Sequence, residues 1–200
     1  MGFFDRIFGK KIESDENTSA PKESDSESLP VDELFLREFT KSGGKFLYCE
    51  NQEEVDRFFG DIIEENGWQE NDILCLDAEL IDRYTSIAHF TDRYSKPMIF
   101  TTKCEHLIAN QGSVLVCSKQ LRGIKNEELP ENLIVFARTS QMVGSISEAL
   151  RSIKQRHLGG PLPTKITSFK NNEVYQENKD DFMHYGTKTK NLYLLLLEDF

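Results

Sequence analysis

Two kinds of apolar pattern alternate along the chain. In the first, apolar residues recur every three or four positions, which is the spacing of one helix face. This pattern predicts helices near 34–39, 55–63, 78–85 and 142–153. A Ser-Gly-Gly sequence at 42–44 is predicted to end the first helix. Asn51 is predicted to cap the second, because Glu54 follows in the pattern of a capping box. Thr139 or Ser140 is predicted to cap the last.

The second pattern consists of short continuous apolar runs, which are typical of buried strands. These runs predict strands at 45–49, 73–77, 97–102, 107–118, 133–138, 165–169 and 192–199. Gly112 is expected to form a turn or bulge in the fourth of them. Strands that alternate with helices predict an α/β fold, here a single domain with a mostly parallel sheet flanked by helices. Ligands of such sheets bind at the carboxyl ends of strands.

Residues 1–30 differ in composition from the rest of the chain. The stretch 12–30 is rich in Ser, Glu and Asp and is predicted to be a disordered acidic linker. A short amphipathic segment precedes it, with an apolar stripe of Phe3, Phe4, Ile7 and Phe8. The stripe is either a docking peptide for a partner or membrane surface, or a frayed end, since so short a helix is marginal by itself. The globular domain is predicted to span 31–200.

Composition and charge narrow the classes of function. Hydrophobic residues make up 38% of the chain and charged residues 29%. No stretch approaches the roughly 20 apolar residues of a transmembrane segment. A net charge of -10 argues against nucleic-acid binding, because phosphate backbones require a positive surface. The beginning of the chain lacks the apolar centre of a secretory signal, so a cytoplasmic location is expected.

The cysteines do not suggest a metal site. Cys49, Cys75, Cys104 and Cys117 form no C-x-x-C pair and are expected to be buried free thiols. Cys104 and His106 lie two residues apart, but the other histidines show no complementary spacing for zinc or for a Cys–His nucleophile. Phosphate-loop and dinucleotide-binding motifs are absent from the sequence, so no cofactor is predicted.

Three polar segments beside predicted strands carry the candidate binding chemistry. In 110–113, backbone N–H groups and a hydroxyl would face a ligand, unless the glycine only supplies the positive φ of a turn. In 138–141, an arginine and a helix start would attract an anion, unless the hydroxyls only cap the helix. The third, 185–191, is a Lys- and Thr-bearing loop suited to a carboxylate or phosphate, unless it is merely solvated. The candidate ligand-binding residues are Asn110, Gly112, Ser113, Arg138, Thr139, Ser140, Thr187, Lys188, Thr189 and Asn191. If the segments meet, they form a polar, mildly cationic pocket; no catalytic residue is assigned.

The same segments carry a resemblance to a known family. They read TTKCEHLIANQGSVLV (101–116), LPENLIVFARTSQMV (129–143) and YGTKTKNLYLLLLED (185–199). They look like the A-x-T-G-[ST] turn, the L-P-x-x-H-[IV] strand and the G-P-S-[RK]-T-A-D-[IL] loop of the LUD-domain family, the lactate-utilisation proteins. The chain is similar to stand-alone LUD proteins of Bacteroidetes-type bacteria. Ala109, Gly112 and Ser113 match the turn, while the family's S-[RK]-T corresponds to Thr187, Lys188 and Thr189.

Three positions depart from the family pattern. Gln111 replaces a Thr, Asn132 replaces the His and Asn191 replaces the Asp. Loss of the acidic group favours binding or positioning over acid–base chemistry, because Asn forms hydrogen bonds but takes no proton. The resemblance implies a NagB/RpiA/CoA-transferase-like fold and an association with oxidation of L-lactate to pyruvate beside iron–sulfur partner proteins. Without clustered cysteines, this chain would be the component that has no clusters of its own.

Three functions remain open from the sequence. The first is a LUD-type component of 2-hydroxy-acid utilisation that binds a small carboxylate, a phosphate-bearing ligand or a partner subunit. The second is a non-enzymatic binding or assembly module, suggested by the missing acid and the N-terminal stripe. The third is an independent CoA-transferase-like enzyme, for which no glutamate, such as Glu105 or Glu148, lies in an assignable motif.

Overall fold

The computed structural model describes residues 29–69, 72–92, 97–171, 186–189 and 191–199. The predicted amphipathic stripe and nearly all of the acidic linker lie outside these residues, and so do Tyr185 and Lys190 of the third candidate segment. In the described part of the chain, no helix has the length and apolar character needed to cross a membrane.

The described residues form α-helices, strands and three short 3₁₀ turns. The helices are α1 (Val31–Lys41), α2 (Gln52–Glu65), α3 (Ala78–Tyr84), α4 (Ser118–Leu121) and α5 (Ile146–Arg156). The strands are β1 (Lys45–Cys49), β2 (Asp72–Cys75), β3 (His89–Thr91), β4 (Ile99–Lys103), β5 (His106–Ile108), β6 (Ser113–Cys117), β7 (Asn132–Arg138), β8 (Met142–Val143), β9 (Ile166–Asn171), β10 (Gly186–Thr189) and β11 (Asn191–Leu197). The 3₁₀ turns are Ala109–Gln111, Asn126–Glu128 and Thr139–Gln141.

The strands form two sheets. Six parallel strands make the larger sheet in the order β1-β11-β7-β4-β2-β3. The smaller sheet is mixed, in the order β10-β9-β6-β5-β8. The predicted α/β domain with a mostly parallel sheet flanked by helices is therefore confirmed, and the second sheet is an addition to it.

Apolar side chains fill three layers between these elements. Helices α2 and α3 cover one face of the parallel sheet, where Phe59 of α2 packs on Phe136 of β7. Helix α1 and the smaller sheet cover the other face, where Phe39 and Phe169 are buried. Helix α5 packs on the outer face of the smaller sheet through Ile153. Since both faces of the parallel sheet are covered, its central strands are apolar on both sides, which is why their runs were recognisable.

The last predicted helix begins later than the sequence suggests. Met142 and Val143, which have the spacing of its apolar face, form strand β8 instead and pair with β5. The helix starts at Ile146, and the side chain of Ser145 caps it by accepting a hydrogen bond from the backbone N–H of Glu148. The prediction that Thr139 or Ser140 caps this helix is therefore wrong, because those residues begin a separate 3₁₀ turn.

Two loop predictions also change. Part of the third candidate segment is strand β10, at the edge of the smaller sheet beside β9. The strand β3 lies at the edge of the parallel sheet and has too few apolar residues to be recognised. By contrast, the expected turn at Gly112 is confirmed, since this residue has a φ of 57° between β5 and β6.

Candidate functional site

A crevice of about 470 Å³ opens at the carboxyl ends of strands β4, β7 and β11. Helices α2 and α3 form its two sides and contribute Gln52, Val55, Leu80 and Arg83. Its volume is in the range of small-molecule sites. The carboxyl edge of a parallel sheet is also where ligands of this fold class bind. The crevice is therefore the candidate functional site.

The floor of the crevice is aromatic and aliphatic. The rings of Tyr84 and Phe136 stack with centroids 5.3 Å apart, and Phe59 packs beneath both of them at 4.6 and 5.4 Å. Leu195 lies beside Phe136 in the sheet register. Ring pairs at these distances add to the stability given by burial alone. The floor is thus tightly packed and apolar, and of Tyr84, Phe136 and Leu195 the phenylalanine keeps the largest exposed fraction, 9%.

An ionic network holds the α2–α3 side of the crevice. The guanidinium of Arg83 donates to both carboxylate oxygens of Asp56, at 2.8 and 2.6 Å. Tyr84 and Gln52 also donate to Asp56, at 2.8 and 3.0 Å. The bond from Arg83 is the main reason that the pKa of Asp56 falls to about 2. Burial raises the pKa of Tyr84, so its phenol stays protonated and remains a donor.

Lys103 stands at the end of β4 in the middle of the rim. Its ammonium group contacts Asp77 at 3.2 Å and Glu79 at 2.5 Å. Partial burial acts to lower the pKa of Lys103, but the bonds to Glu79 and Asp77 outweigh it and raise the pKa above its usual value. The Glu79 side chain is 87% exposed. The pair with Glu79 is therefore a weak one that a ligand carboxylate can replace.

Arg138 ends β7 on the opposite side of the mouth. Its side chain is 57% exposed, and its ion pair is a contact of 3.9 Å with Asp199. The bonds of Gln141 position this end of the strand. Its side-chain oxygen accepts from the Arg138 N–H at 2.7 Å, and its side-chain nitrogen donates to the Cys104 carbonyl at 2.7 Å. Gln141 thus fixes the backbone at the end of β7, while the Arg138 guanidinium is exposed at the crevice.

The anion expected at the second candidate segment belongs to the protein itself. The carboxylate of Asp199 accepts bonds from the Thr139 hydroxyl at 2.8 Å, the Ser140 N–H at 2.9 Å and the Ser140 hydroxyl at 2.7 Å. Burial acts to raise the pKa of Asp199, but these bonds and nearby Arg138 lower it overall. Thr139 and Ser140 thus bind an internal carboxylate, and Arg138 alone of the three lines the crevice.

The first candidate segment packs against α1 rather than into the crevice. A Cβ atom on Gly112 would lie 2.3 to 2.6 Å from the backbone of Glu38 and Phe39. Ser113 is buried, and its hydroxyl donates to Gln111 at 3.3 Å. The backbone N–H of Asn110 donates to the carbonyl of Gly144. None of the three candidate residues here lines the crevice.

Asn191 of the third segment lies at the amino end of the parallel sheet, opposite the end that carries the crevice. Asn191 begins β11 and pairs in register with Asn132, whereas Arg138 pairs with Leu197 at the far end. At about 3.3 Å per residue, the two ends are roughly 20 Å apart. Thr187, Lys188 and Thr189 belong to β10 of the smaller sheet. Arg138 and Asn191 therefore do not share a pocket, and the assignment of the candidate residues to ligand binding stays a prediction.

Two positions that depart from the family motifs contact each other. The side-chain N–H₂ of Asn191 donates to the side-chain oxygen of Asn132 at 2.8 Å. Lys45 donates to Asn191 at 3.3 Å and to the hydroxyl of Tyr193 at 2.8 Å. The side-chain N–H₂ of Asn132 also donates to the Met98 carbonyl at 2.9 Å. These bonds join three neighbouring strands at the amino end of the sheet.

A buried polar cluster surrounds Glu105, behind the crevice. Its carboxylate accepts from Gln120 at 3.0 Å and Cys117 at 3.3 Å, and it pairs with Arg156 at 3.1 Å. Burial acts to raise the pKa of Glu105, but these partners lower it overall. Arg156 also lies 3.0 Å from His106 Nε2, while His106 Nδ1 donates to the carbonyl of Gln141. Burial lowers the pKa of His106 and keeps its ring neutral.

This cluster differs from a metal or nucleophile site. All four cysteines are buried free thiols, as expected. Burial raises the pKa of Cys104, which packs in the apolar core while His106 faces Arg156. Among the residues that the structure describes, no three His, Cys, Asp or Glu side chains are grouped to hold a metal ion.

A smaller cavity of about 260 Å³ lies on the other side of the Lys103 rim. Thr102, Lys119 and Arg122 line it, and Glu79 lines both this cavity and the crevice. Sequence reasoning missed Arg83, Lys103, Lys119 and Arg122. Lys103 could have been predicted as a site residue, because it directly follows the predicted strand 97–102. The Arg83–Asp56 pair could not, because no local sequence pattern links these two residues.

Comparisons with known proteins bear on the fold. Neither protein-family models nor curated proteins give a match to this chain. Among solved structures, it is similar to the crystal structure of a DUF162 family protein from Deinococcus radiodurans, with a TM-score of 0.53 and 13% sequence identity. The match covers 84% of this chain and 96% of that one. DUF162 corresponds to the LUD-domain family. At this identity the likeness establishes a shared α/β fold.

Proposed function

We propose that the protein binds an organic acid in the crevice, as a LUD-type component of 2-hydroxy-acid metabolism. The observation that carries the proposal is Arg138, an exposed guanidinium held by a fixed backbone at the mouth of an apolar-floored crevice. A guanidinium binds a carboxylate through two parallel hydrogen bonds. The motif resemblance and the DUF162 structural likeness support the same class of protein.

The three cations of the crevice differ in how firmly they are held. Arg83 makes two short bonds to Asp56, and Lys103 contacts two carboxylates. Arg138 makes its ion-pair contact at 3.9 Å, the longest of the three. A ligand carboxylate therefore meets Arg138 first and competes with Glu79 for Lys103. The bound acid would lie with its carboxylate at the rim and its side chain on the aromatic floor.

The size of the crevice sets an expectation for the acid. Lactate would fill only a small part of a crevice of about 470 Å³. Each further buried CH₂ contributes about 0.8 kcal/mol. Longer or aromatic 2-hydroxy and 2-keto acids should therefore bind more tightly than lactate or pyruvate. The chain carries no cluster-binding cysteines, so redox chemistry would belong to an iron–sulfur partner protein.

The alternatives have less support from the contacts. An acyl acceptor in a CoA-transferase-like enzyme must reach its substrate, but Glu105 is buried and bonded to three side chains. An assembly module would use the apolar stripe within 1–30, which lies outside the described residues. Removing 1–30 would then abolish capture of a partner while the melting temperature stays nearly unchanged.

Calorimetric titration tests the proposal. The wild type would be titrated with lactate, pyruvate, 2-hydroxyisocaproate and phenyllactate, with affinity expected to rise along the series. Arg138→Ala should weaken binding of each acid by about tenfold or more, because a charge-assisted bond contributes about 1.5 to 3 kcal/mol. Arg151→Ala removes an exposed arginine of α5 that does not line the crevice and should leave affinity unchanged. Equal affinity in the wild type and Arg138→Ala would overturn the proposal.

A further inference from the structure

The cavity beside the crevice has its own pair of cations. It lies on the opposite face of the parallel sheet, where Leu76 and Thr102 line it from the ends of β2 and β4. Lys119 and Arg122 face them from α4 and from the residue that follows it. The crevice contains three cations and this cavity two, on a chain whose net charge is -10. Asp77 and Glu79 also line this cavity and balance its two cations, so an anion becomes favourable there once Glu79 moves away.

Arg122 has an unusual backbone conformation. Its φ of 41° makes it the one non-glycine residue with a positive φ in the described parts of the chain. The left-handed region costs an L-residue roughly 1 kcal/mol. The next residue, Gly123, also has a positive φ, so the tight exit from α4 requires this geometry. Among the described residues, the Arg122 guanidinium forms no hydrogen bond or ion pair, and its donors remain open to the cavity.

Lys119 is positioned by the imidazole of His157. Its ammonium lies 2.9 Å from His157 Nε2, and His157 Nδ1 lies 2.8 Å from the carbonyl of Ile153. The carbonyl accepts only, so Nδ1 carries the proton and Nε2 accepts from Lys119. One donor of the ammonium is used to position it, and the remaining two are available to an anion.

The two cavities meet at an ion-pair cluster. Glu79 lines both of them, Lys103 lines the crevice and Asp77 lines the smaller cavity. Lys103 contacts both carboxylates and partly neutralises them. Asp77 is fixed as the cap of α3, whereas the Glu79 side chain is 87% exposed and contacts Lys103 from the solvent side. Moving Glu79 aside would open a continuous path over the Lys103 ammonium.

We propose that the two cavities take one ligand, an organic acid with a second anionic group. Its body lies on the aromatic floor, its first carboxylate contacts Arg138, and its second anionic group replaces Glu79 at Lys103 and reaches Arg122 and Lys119. This inference rests on the proposed function, since the first carboxylate occupies the same site. It adds that the ligand is a dianion, and that Arg122 selects it over monoacids of equal length.

Paired titration series test the inference. Linear dicarboxylates from succinate to azelate would be compared by calorimetry with the monocarboxylates of equal carbon number. At the best length, the dicarboxylate should bind about tenfold more tightly than its matched monocarboxylate, as expected for one added charge-assisted contact. Arg122→Gly should abolish this advantage and leave monocarboxylate affinity unchanged. Since glycine accepts a positive φ freely, this variant should keep or raise the melting temperature, so lost binding would not reflect unfolding.

Glu79→Gln supplies a second measurement. Removing this carboxylate leaves Asp77 as the ion-pair partner of Lys103 and should raise dicarboxylate affinity several-fold. If monocarboxylates bind and lose affinity in Arg138→Ala, but dicarboxylates bind no better, the dianion inference is wrong and the proposed function stands. If the dicarboxylate binds more tightly than its matched monocarboxylate in both the wild type and Arg122→Gly, Arg122 does not bind the second anionic group. If neither series binds, the proposed function fails as well.

Discussion

Asp199 accepts hydrogen bonds from both the backbone N–H and the hydroxyl of Ser140, at 2.9 and 2.7 Å. These residues follow neighbouring strands, β11 and β7, so the bonds tie the two strands together at their carboxyl ends. The Thr139 hydroxyl completes the set by donating to Asp199 at 2.8 Å. An internal carboxylate thus satisfies the polar groups of the turn beside the crevice, and of Arg138, Thr139 and Ser140 only Arg138 lines the crevice.

Replacing Asp199 should destabilise the fold. Asp199→Ala removes three charge-assisted bonds and should lower the free energy of unfolding by about 1 to 3 kcal/mol, measured by urea denaturation. Asp199→Asn keeps an acceptor without the charge and should lose less. The folded state depresses the pKa of Asp199, so its contribution is present above the ordinary Asp pKa and is lost as pH falls below it. Equal stability of wild type and Asp199→Ala at neutral pH would contradict this role.

Replacing Gly112 should destabilise the fold more than replacing Gly67, although the two glycines have a similar φ. Gly112→Ala places a Cβ 2.3 Å from the backbone carbonyl carbon of Glu38, where only movement of α1 can relieve the clash. We expect a loss of more than about 3 kcal/mol in stability, or failure to fold. Gly67 has a similar φ of 66° but no atom within 4 Å of the added Cβ. Gly67→Ala should therefore cost only about 1 kcal/mol. Equal melting temperatures of the two variants would refute the close packing.

Much of the fold could be read from local pattern. The run KFLYC gives β1 with its bounds, Lys45–Cys49, because a strand covered on both faces must be continuously apolar. Asn51 caps α2 as expected, accepting from the N–H of Glu54. The sequence predicts that α5 begins at Met142, and this is wrong because Met142 and Val143 fit the helical spacing by chance. Their place in β8 depends on pairing with β5, a tertiary contact that spacing does not encode.

The candidate site was only partly predictable. Arg138 ends a strand, and the structure places it at the carboxyl edge, where ligands of such sheets bind; its role in binding stays a prediction. The same rule argues against Asn191, because the segment that carries it precedes its strand and so lies at the amino end. The Asp199–Ser140 and Asp56–Arg83 contacts join residues far apart in sequence, and no local pattern reveals such pairs.

The bond between Asn132 and Asn191 should be measurable as a coupling. Each side chain keeps other partners, so the single alanine variants should lose about 0.5 to 1.5 kcal/mol each. Because they contact each other at 2.8 Å, the double variant should lose less than the sum of the two, by about 0.5 kcal/mol or more. Urea denaturation of all four proteins gives this coupling energy. Strict additivity would mean that the two amides do not interact in solution.

The Asp56–Arg83 pair should dominate the acid sensitivity of the crevice wall. The pKa of Asp56 is depressed from 3.8 to about 2, chiefly by the bond from Arg83. The contribution of this group is therefore complete above pH 3.8 and is lost as pH falls toward 2. Asp56→Asn should flatten the fall in melting temperature across that window. Asp61→Asn, an exposed position on the same helix, should leave the slope as in the wild type. If the melting temperatures of the wild type and Asp56→Asn fall with the same slope as the pH is lowered, Arg83 does not stabilise the Asp56 carboxylate. In that case the α2–α3 wall would have to be stabilised by the packing of Phe59 and Tyr84 alone.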